Sequence, residues 1–588
     1  MHNPQPQVVL CDFKTGAWLH FTFPCRVFVA RGMDEVLPYL REVIEATQKT
    51  GLYAAGFISY EAAPAFDSSL PGIIDKEFPL LWFGLFHKPD ERNVLTAETV
   101  MYPGPLEWNP SITQDDYRRC FNSIQEYIRK GDTYQVNFSY RLRARMQINP
   151  WDFFVHIMKQ HKEPYAAFVD TGEWVISSAS PELFFHLDGD RIESRPMKGT
   201  AARGLWYEDD CMKADFLQSS EKERAENVMI TDMVRNDLGR IAAGGSVYVP
   251  ELFLVERHPS VWQMTSAIRA KTSAPLDHIF QAIFPPASIT GAPKRRTMEI
   301  IHELESSPRR IYTGTIGFIA PERRVQFNVA IRTVLFHRTS GNAEYGVGGG
   351  IVSDSTAVNE FEECSIKATV LRSCMPDFDL IETMGWSPEK GFFLLDYHLK
   401  RLGQSAKYFG FSLNLLQIKE MLKNFAADHP IDPHRVRLLV SRNGNFQCNA
   451  SVADPGIPCF DDIPLAGSPV DSKDVFLYHK TTHRHIHEKA LRSRPGSRDV
   501  LMFNEKGEIT ESTVANVAFE IGGALYTPPL CCGLLPGTYR AWLLGQQRML
   551  ERVITIDEAL HSRNVYLMNA VRGIQKVRII ASEDNQHT

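Results

Sequence analysis

A break in the hydrophobic pattern between residues 371 and 380 most constrains what this 588-residue chain can fold into. A helical pattern from Glu360 to Leu371 stops there, Pro376 follows it, and a new β-type run begins at Leu380. Proline ends helices because it has no backbone N–H to donate. The break therefore predicts separate modules on either side of it. The predicted units are residues 1–372, a linker at 373–379, and residues 380–588 with lobes of about 380–468 and 469–588.

Both modules alternate short β-type runs with amphipathic helical stretches, a pattern typical of a mixed α and β fold (α+β or α/β). In residues 114–129, apolar side chains recur at spacings of three and four, which predicts a helix. Further helices are predicted from near Ser219 and over residues 292–304. Residues 174–176 and 315–319 are predicted strands.

Composition and charge exclude several classes of function. Hydrophobic residues make up 44% and charged residues 23%, which is ordinary globular usage. A formal net charge of −6 gives no global reason to bind nucleic acid or an anionic membrane. The cysteines form no CxxC pair, and neither a signal-peptide pattern nor a long apolar run occurs. We expect a soluble cytoplasmic protein that holds any anionic ligand with local groups.

Two sets of glutamates in the first module have helical spacing. Glu360, Glu363 and Lys367 fall on one stripe of a helix, and Glu223 and Glu226 share a face of another. Carboxylates from two helices can bind Mg²⁺, which takes oxygen ligands. Solvated helix faces show the same spacing, so spacing alone leaves both interpretations open.

Lys198 lies between Pro196 and Gly199, in what the sequence predicts to be a constrained loop. A lysine with a lowered pKa can act as a nucleophile, although most lysines in turns are simply exposed. The glycines at 346 and 348–350 do not open a helix, so a dinucleotide-binding fingerprint is excluded. Glycines in a strand instead permit close approach of a ligand carboxylate.

Seven motifs appear in an order that resembles the chorismate-utilising enzymes, a family that includes anthranilate, aminodeoxychorismate, isochorismate and salicylate synthases. The resemblance spans roughly residues 110–370. The motifs are Tyr134-Gln135-Val136-Asn137, Ser180-Pro181-Glu182, Pro196-Met197-Lys198-Gly199-Thr200, Arg235-Asn236-Asp237-Leu238-Gly239-Arg240, Ile289-Thr290-Gly291-Ala292-Pro293-Lys294, Ala330-Ile331-Arg332-Thr333 and Glu360-Phe361-Glu362-Glu363-Cys364.

Two positions indicate which reaction the resemblance implies. Gln135 stands where isochorismate and salicylate synthases carry a lysine base, so activation of water is disfavoured. Lys198 stands where anthranilate synthases typically have a small residue, and a lysine there is similar to aminodeoxychorismate synthases. The resemblance therefore implies amination of chorismate at C4 within a large β-sandwich surrounded by helices.

The resemblance also implies roles for individual residues. Lys198 would attack C2 of chorismate, and Glu182 would protonate the departing C4 hydroxyl. Glu226 and Glu363 would hold a Mg²⁺ that binds the ring carboxylate. The implied substrate-binding residues are Gln135, Thr290, Tyr312, Arg332, Gly348, Gly349, Gly350 and Lys367.

Two departures from the family pattern limit these implied roles. Related sequences often have histidine where this chain has Asn227 and Gln263, so we predict no histidine acid or base. The Gly-x-Cys-x-Gly and His-Pro-Glu elements of class I amidotransferases do not occur in the sequence. We therefore expect either free ammonia or a separate glutamine amidotransferase subunit as the nitrogen source.

The second module resembles the fold-type IV pyridoxal phosphate enzymes, which include branched-chain and D-amino-acid aminotransferases and aminodeoxychorismate lyase. The resemblance implies a two-lobed domain in which Lys480 binds the cofactor covalently and then moves protons. It implies cofactor contacts from Glu511, Arg401, Gly537, Thr538 and Asn569. The motifs include Tyr397-His398-Leu399-Lys400-Arg401, His479-Lys480-Thr481-Thr482, Glu508-Ile509-Thr510-Glu511-Ser512, Leu535-Pro536-Gly537-Thr538 and Asn569-Ala570-Val571-Arg572.

Three functions fit these resemblances. A bifunctional enzyme that converts chorismate to 4-aminobenzoate fits the pairing of modules best, because the lyase step follows the amination step. An anthranilate-type synthase fused to a class IV aminotransferase is the alternative that Lys198 argues against. A non-catalytic scaffold is the third. Lyases of this fold are commonly dimers, so a homodimer through the second module is an expectation.

Overall fold

The computed structural model describes residues 5–72, 75–96, 106–146, 148–371, 375–452 and 462–580. Residues 373 and 374 of the predicted linker lie outside the described residues. The chain forms two compact units, and the first contains the residues up to Arg203 and those from Lys213 to the linker. The second contains the residues from Met375 onward together with Gly204–Met212. Within the second unit, the Trp206 ring stacks on Tyr478 with ring centroids 5.4 Å apart.

The predicted mixed α and β fold is confirmed, and strands dominate the first unit. Its strands are β1 Gln7–Cys11, β2 Trp18–Thr22, β3 Arg26–Ala30, β4 Tyr53–Ile58, β5 Leu81–Phe86, β6 Asp90–Arg92, β7 Asn109–Pro110, β8 Gln135–Arg145, β9 Ala167–Asp170, β10 Trp174–Ser178, β11 Leu183–Asp188, β12 Arg191–Arg195, β13 Met197–Ala202, β14 Tyr248–Arg257, β15 Val261–Lys271, β16 Gly291–Ala292, β17 Thr315–Ala320, β18 Arg324–Val329, β19 Thr333–His337 and β20 Asn342–Ile351.

Helices flank these strands. In chain order they are α1 Met33–Thr50, α2 Ala63–Phe66, α3 Gln114–Lys130, α4 Pro150–Gln160, α5 Tyr207–Ser219 (which begins in the segment grouped with the second unit), α6 Glu221–Gly239, α7 Leu276–Ile283, α8 Lys294–Leu304 and α9 Ala357–Lys367. The helices predicted over 114–129, from near Ser219 and over 292–304 are confirmed as α3, α6 and α8.

The strands of the first unit form two large antiparallel sheets. The first sheet has the order β16-β8-β20-β19-β10-β9-β1-β2-β6, with β7 paired to β8. The second has the order β13-β15-β12-β11-β18-β17-β4-β5-β3, with β14 paired to β15. Buried side chains of both sheets, among them Phe21 on β2 and Phe57 on β4, form one shared core. The unit is therefore a β-sandwich.

Helices cover the outer faces of the sandwich. Helices α3, α4 and α9 pack on the first sheet, and α1 and α7 pack on the second. Helix α3 shows why its spacing of apolar residues predicts a helix correctly. Its N-cap Thr113 accepts a hydrogen bond from the Asp116 backbone N–H, its face of Tyr117, Phe121 and Ile124 is buried, and Gly131 ends it with φ +82°.

The loop predicted around Lys198 is wrong, because Lys198 belongs to strand β13. This strand pairs with β15, which lies more than sixty residues further along the chain. The local sequence shows Pro196 and Gly199 but gives no sign of the distant strand β15 that pairs with this segment. Whether a segment forms a strand depends strongly on the strands beside it.

The second unit contains two main sheets. Its strands are β21 Leu380–Ser387, β22 Gly391–Phe392, β23 His434–Val440, β24 Phe446–Val452, β25 Asp462–Pro464, β26 Leu501–Phe503, β27 Ile509–Ser512, β28 Asn516–Ile521, β29 Ala524–Thr527, β30 Leu550–Glu551, β31 Val565–Asn569 and β32 Gly573–Ile580. Its helices are α10 Leu395–Phe409, α11 Leu415–Asp428, α12 His485–Arg492, α13 Thr538–Gly545 and α14 Ile556–His561.

One sheet of this unit has the order β22-β21-β23-β24 and shares a core with α10 and α11. The other has the order β25-β32-β31-β28-β29-β30 and has its own core. Strands β26 and β27 form a separate pair. In the part of the chain that the structure describes, no helix has the length and apolar character needed to cross a bilayer.

Candidate active sites

A cavity in the first unit is lined by most of the predicted catalytic and substrate-binding residues. Strands β13 and β15, strand β20 and helices α6 and α9 supply its walls. The predicted residues that line it are Glu182, Lys198, Glu226, Tyr312, Arg332, Gly348, Gly350, Glu363 and Lys367.

The Lys198 ammonium group lies against a strand backbone that has no side chain at that point. A Cβ added to Gly350 would lie 2.0 Å from Lys198 Nζ and 2.8 Å from Gln135 Nε2. On its other side, Lys198 Nζ is 3.6 Å from Glu226 Oε2. The glycine at 350 therefore makes room for the lysine, which is the close approach that strand glycines permit.

Gln135 is fully buried beside Lys198, and both polar atoms of its amide lack a hydrogen-bond partner. A buried amide without partners is costly, so such a group in a native fold calls for a ligand that completes it. Its neutral amide can donate and accept hydrogen bonds but cannot act as a base.

Four glutamates from α6 and α9 face the same cavity: Glu223, Glu226, Glu360 and Glu363. Burial, with repulsion from Glu226, raises the pKa of Glu223 to about 7. Burial and the neighbouring Glu363 also raise the pKa of Glu360. Carboxylates crowded in this way favour a bound cation.

This donor set fits Mg²⁺, which prefers oxygen ligands and keeps several waters. Among the described residues, no group of three or more histidine, cysteine, aspartate or glutamate side chains is arranged to hold a metal ion. One carboxylate from each helix, completed by water and a substrate carboxylate, is nevertheless enough for Mg²⁺.

Glu182 is buried, and burial raises the pKa of its carboxyl group to about 7. The Ser288 hydroxyl donates a hydrogen bond to Glu182 Oε1. A carboxyl group that keeps its proton near neutral pH can donate it to a leaving group. This environment suits the acid role that the resemblance implies.

Arg332 is held in a strained conformation at the cavity wall. Its φ is +51°, in the left-handed region that non-glycine residues avoid. Arg332 Nη1 donates to Glu163 Oε1 at 2.8 Å, and Glu163 Oε2 lies 2.9 Å from His258 Nδ1. The guanidinium is therefore fixed in place and available to a carboxylate from the cavity side.

Lys367 lines the cavity, whereas three other predicted substrate-binding residues, Gln135, Gly349 and Thr290, are not among its lining residues. Lys367 Nζ donates to Gly348 O at 2.9 Å and to Glu363 at 2.7 Å. Gln135 lies behind Gly350, and a Cβ on Gly349 would lie 2.8 Å from Glu360 Oε2. Thr290 does not line the cavity; its hydroxyl donates to Ala287 O at 3.1 Å.

A second cavity lies in the second unit and is lined by all six residues predicted to bind pyridoxal phosphate. These residues are Lys480, Glu511, Arg401, Gly537, Thr538 and Asn569. Gly537 is the N-cap of α13, and Thr538 is its first residue. The backbone N–H groups of a helix N-terminus favour a phosphate group.

Lys480, which is half-buried, and Glu511, which is buried, line this cavity and have strongly shifted pKa values. Burial and the nearby Arg401 and Arg484 lower the pKa of Lys480 to about 8. Burial raises the pKa of Glu511 to about 8. Asn516 Nδ2 donates to Glu511 Oε2 at 2.9 Å. A buried carboxylate of this kind is completed by a cationic partner such as a pyridinium nitrogen.

Arg401 is anchored by a bidentate ion pair. Its Nε and Nη2 donate to the two oxygens of Glu382 at 2.9 and 2.6 Å. Burial alone would raise the pKa of Glu382, but Arg401 and His398 hold it at about 2. Arg401 Nη1 donates to Pro536 O at 3.2 Å, next to Gly537. The anchored guanidinium therefore lies beside the start of α13.

Further arginines around this cavity were missed by the sequence interpretation: Arg435, Arg437, Arg484 and Arg572. Arg435 and Arg437 alternate on β23, so their side chains point to the same face of the sheet. That period of two was a signal available in the sequence. These cations fit a substrate that carries more than one carboxylate.

Comparison with family models divides the chain in the same order. The model for chorismate binding enzymes matches residues 26–373. The model for class IV aminotransferases matches residues 379–580, and this class implies pyridoxal phosphate as cofactor.

Individual relatives match about half of the chain. Aminodeoxychorismate synthase component 1 of Salmonella typhimurium is 38% identical over 298 residues, which is 50% of this chain and 65% of that protein. Anthranilate synthase component 1 1 of Haloarcula marismortui is 40% identical over 315 residues, 52% of this chain and 64% of that protein. The chain thus spans less than two thirds of the length of each relative.

A solved structure has a similar fold. The crystal structure of anthranilate synthase component I from Streptococcus pneumoniae aligns with a TM-score of 0.50 at 24% identity. The alignment covers 63% of this chain and 91% of that chain.

Proposed function

The chain belongs to the chorismate binding enzymes and continues into a class IV aminotransferase region, and from this premise we propose that it makes 4-aminobenzoate from chorismate in two steps. The first unit would replace the C4 hydroxyl of chorismate with an amino group. The second unit would then eliminate pyruvate with the help of pyridoxal phosphate. Aromatisation of the ring drives the second step.

The observation that carries the first step is the position of Lys198. Its Nζ lies within the cavity against Gly350, next to a neutral, unpartnered Gln135 amide and on the same cavity surface as Glu182. This arrangement supplies a nucleophile and an acid but, at position 135, no base to activate water. It therefore favours amination over hydration.

The proposed amination conserves atoms and electrons. Lys198 Nζ, as the neutral amine, bonds to C2, the ring double bonds shift, and the C4 hydroxyl leaves as water with the proton of Glu182. Ammonia then bonds to C4, the double bonds shift back, and the bond between Lys198 and C2 breaks to release the neutral amine. The new ammonium group at C4 returns one proton to Glu182. Arg332 and the backbone around Gly348 hold the enolpyruvyl carboxylate throughout.

The residues that would hold Mg²⁺ are Glu226 and Glu363, with Glu223 and Glu360 beside them. When bound, the ion supplies positive charge for the ring carboxylate of chorismate. The carboxylates on α6 and α9 would then be neutralised together.

In the second unit, Lys480 is the proposed base. When bound, the cofactor would supply an electron sink. Glu511 would pair with its pyridine nitrogen and keep that nitrogen protonated. The lowered pKa of Lys480 makes its neutral amine available near pH 8. Lys480 Nζ takes the proton from C4 of the aminated ring, and the bond between C3 and oxygen breaks to release enolpyruvate. The same proton then passes to the CH2 carbon of enolpyruvate, which gives pyruvate.

Replacement of the nucleophile tests the first step. Lys198→Ala should lower aminodeoxychorismate formation by about three orders of magnitude or more, because no other amine in the cavity is placed against Gly350. Lys271→Ala, at an exposed position of β15, is the control and should keep full activity. Wild-type turnover by Lys198→Ala would exclude the nucleophile role.

The identity of the product tests the alternative of an anthranilate-type reaction. The 40% identity to the Haloarcula anthranilate synthase component is the observation that favours this alternative. Anthranilate and 4-aminobenzoate have the same mass, so chromatography against both standards and fluorescence must separate them. The geometry at Lys198 favours 4-aminobenzoate.

The nitrogen source is part of the proposal. We infer that the chain uses ammonia, delivered either free or by a separate glutamine amidotransferase subunit. Chorismate with ammonium should be turned over by this chain alone. Glutamine should support the reaction only after a glutaminase subunit is added.

A further inference from the structure

Lys198 and Gly199 lie in a β-bulge. Met197 of β13 faces Thr265 of β15, whereas Thr200 faces Gln263, so β13 carries one extra residue over this stretch. Gly199 has φ +99°, a conformation that glycine adopts without strain. A bulge bends its strand and redirects a side chain, and this one directs Lys198 into the cavity.

Two side-chain amides hold the backbone of this bulge. Asn227 Nδ2 donates to Lys198 O at 3.1 Å, and Gln263 Nε2 donates to Gly199 O at 2.9 Å. The Thr200 hydroxyl donates to Gln263 Oε1 at 3.3 Å. The amides come from α6 and β15, so two different elements hold consecutive carbonyls.

Both amides are themselves fixed. Asn227 is 2% exposed and Gln263 is 9% exposed. Asn227 Oδ1 accepts a hydrogen bond from Ser266 Oγ at 2.5 Å, and Asn227 Nδ2 also lies 3.5 Å from Met264 O. Fixed, buried donors hold an acceptor in one place at little further entropic cost.

We propose that Gln263 and Asn227 are positioning residues that hold the bulge and thereby aim Lys198 Nζ at the space between Gly350 and Glu226. This inference rests on the proposed function for the reaction that Lys198 performs. A side-chain amide neither gains nor loses a charge near neutral pH, so these two side chains act through hydrogen bonds and not as an acid or a base. Their positions are those at which related sequences often carry histidine.

The test removes one donor and keeps the side-chain volume. In Gln263→Met, kcat for amination should fall about tenfold or more, because a nucleophile misplaced by a fraction of an ångström reacts slowly. The KM for chorismate should change less than about threefold, because the Arg332 and Gly348 contacts remain. In Gln263→His the imidazole can donate to Gly199 O and should keep kcat within about threefold of wild type.

Thr265→Val is the matched control on the same strand. Thr265 is buried, and its hydroxyl donates to Leu254 O rather than to the bulge. This variant should keep both kcat and KM. An equal loss in Gln263→Met and Thr265→Val, or no loss in Gln263→Met, would overturn the proposal.

A second readout does not depend on turnover. The rate at which a lysine-selective reagent modifies Lys198 in substrate-free protein is followed by peptide mass. Release of the bulge should raise this rate about threefold or more in Gln263→Met and leave it unchanged in Thr265→Val. An unchanged modification rate in Gln263→Met contradicts the positioning role of Gln263, whatever product the wild-type protein makes. A different product with a raised modification rate contradicts the proposed function alone.

If Gln263→Met does not fold by circular dichroism, Asn227→Ala takes its place. It removes the hydrogen bond to Lys198 O and should give the same lowered kcat and the same faster modification of Lys198. A folded Asn227→Ala protein with unchanged values would overturn the proposal.

Discussion

Glu182 ties the amination step to pH at the scale of a single residue. Burial raises the pKa of this carboxyl group to about 7, so the protonated form that can donate to the C4 hydroxyl dominates below pH 7 and is lost above it. With the concentration of neutral ammonia held constant, the ratio of the wild-type kcat to the Glu182→Gln kcat should be constant below pH 7 and fall towards tenfold per pH unit above it. Glu182→Gln should lower kcat about a hundredfold or more below pH 7.

Gly350 provides a second residue-scale prediction. In Gly350→Ala the new Cβ would occupy the position of Lys198 Nζ, so the lysine must move. The amination kcat should fall about a hundredfold while the protein stays folded, because the flexible end of a lysine can give way. Gly239→Ala is the control, since nothing lies within 4 Å of a Cβ there. Full activity in Gly350→Ala would contradict the placement of Lys198.

Residue types in ordered motifs allowed most of the cavity residues to be predicted before the structure was known. Glu182, Lys198 and Arg332 line one cavity, and Lys480 and Glu511 line the other. Glu163, which binds Arg332, could not be predicted because its contact spans more than 160 residues of sequence. Side-chain pairs between distant segments of the chain leave no local pattern.

Helix α9 shows how an element carries the candidate metal site. The Thr356 side chain accepts a hydrogen bond from the Asn359 N–H and caps the helix just before Glu360 and Glu363. Thr356→Ala should lower the free energy of unfolding by about 1 kcal/mol, because the first turn loses its acceptor. Thr356→Ser keeps the hydroxyl and should unfold like wild type in denaturant titrations. Equal stability of the alanine and serine variants would contradict the capping role.

Elements with strong local signals were predicted, and those that depend on distant partners were not. Helix α3 has a cap, an amphipathic stripe and a terminating glycine within one short segment. Strand β13 instead takes its shape from β15 and from Asn227 on α6. The loop prediction for Lys198 failed for this reason, although Pro196 and Gly199 correctly indicated an irregular backbone.

At the scale of the whole molecule, the two cavities belong to different units, so their activities should be separable. Lys480→Ala should leave amination intact and stop 4-aminobenzoate formation, so that aminodeoxychorismate accumulates. The Lys480→Ala protein should also lack the absorbance band of a lysine-bound pyridoxal phosphate, at roughly 400 nm or above, because the lysine that binds the cofactor is gone. Lys489→Ala, exposed on α12, is the control. Loss of amination in Lys480→Ala would contradict independent sites.

The overall charge of −6 does not conflict with anionic substrates, because cationic side chains line both cavities. Arg332, Lys198 and Lys367 face the first cavity. Five arginines and Lys480 face the second cavity, and Glu511 is the glutamate among its lining residues. Local placement of charge, rather than a basic surface, is therefore what these sites offer to a dicarboxylate.

The most direct measurement is to incubate the intact protein with chorismate, ammonium, Mg²⁺ and pyridoxal phosphate and to identify the products by chromatography against standards. We expect 4-aminobenzoate and pyruvate in equal amounts, and aminodeoxychorismate in their place when the cofactor is omitted. Anthranilate as the product, or no consumption of chorismate, would contradict the proposed two-step reaction.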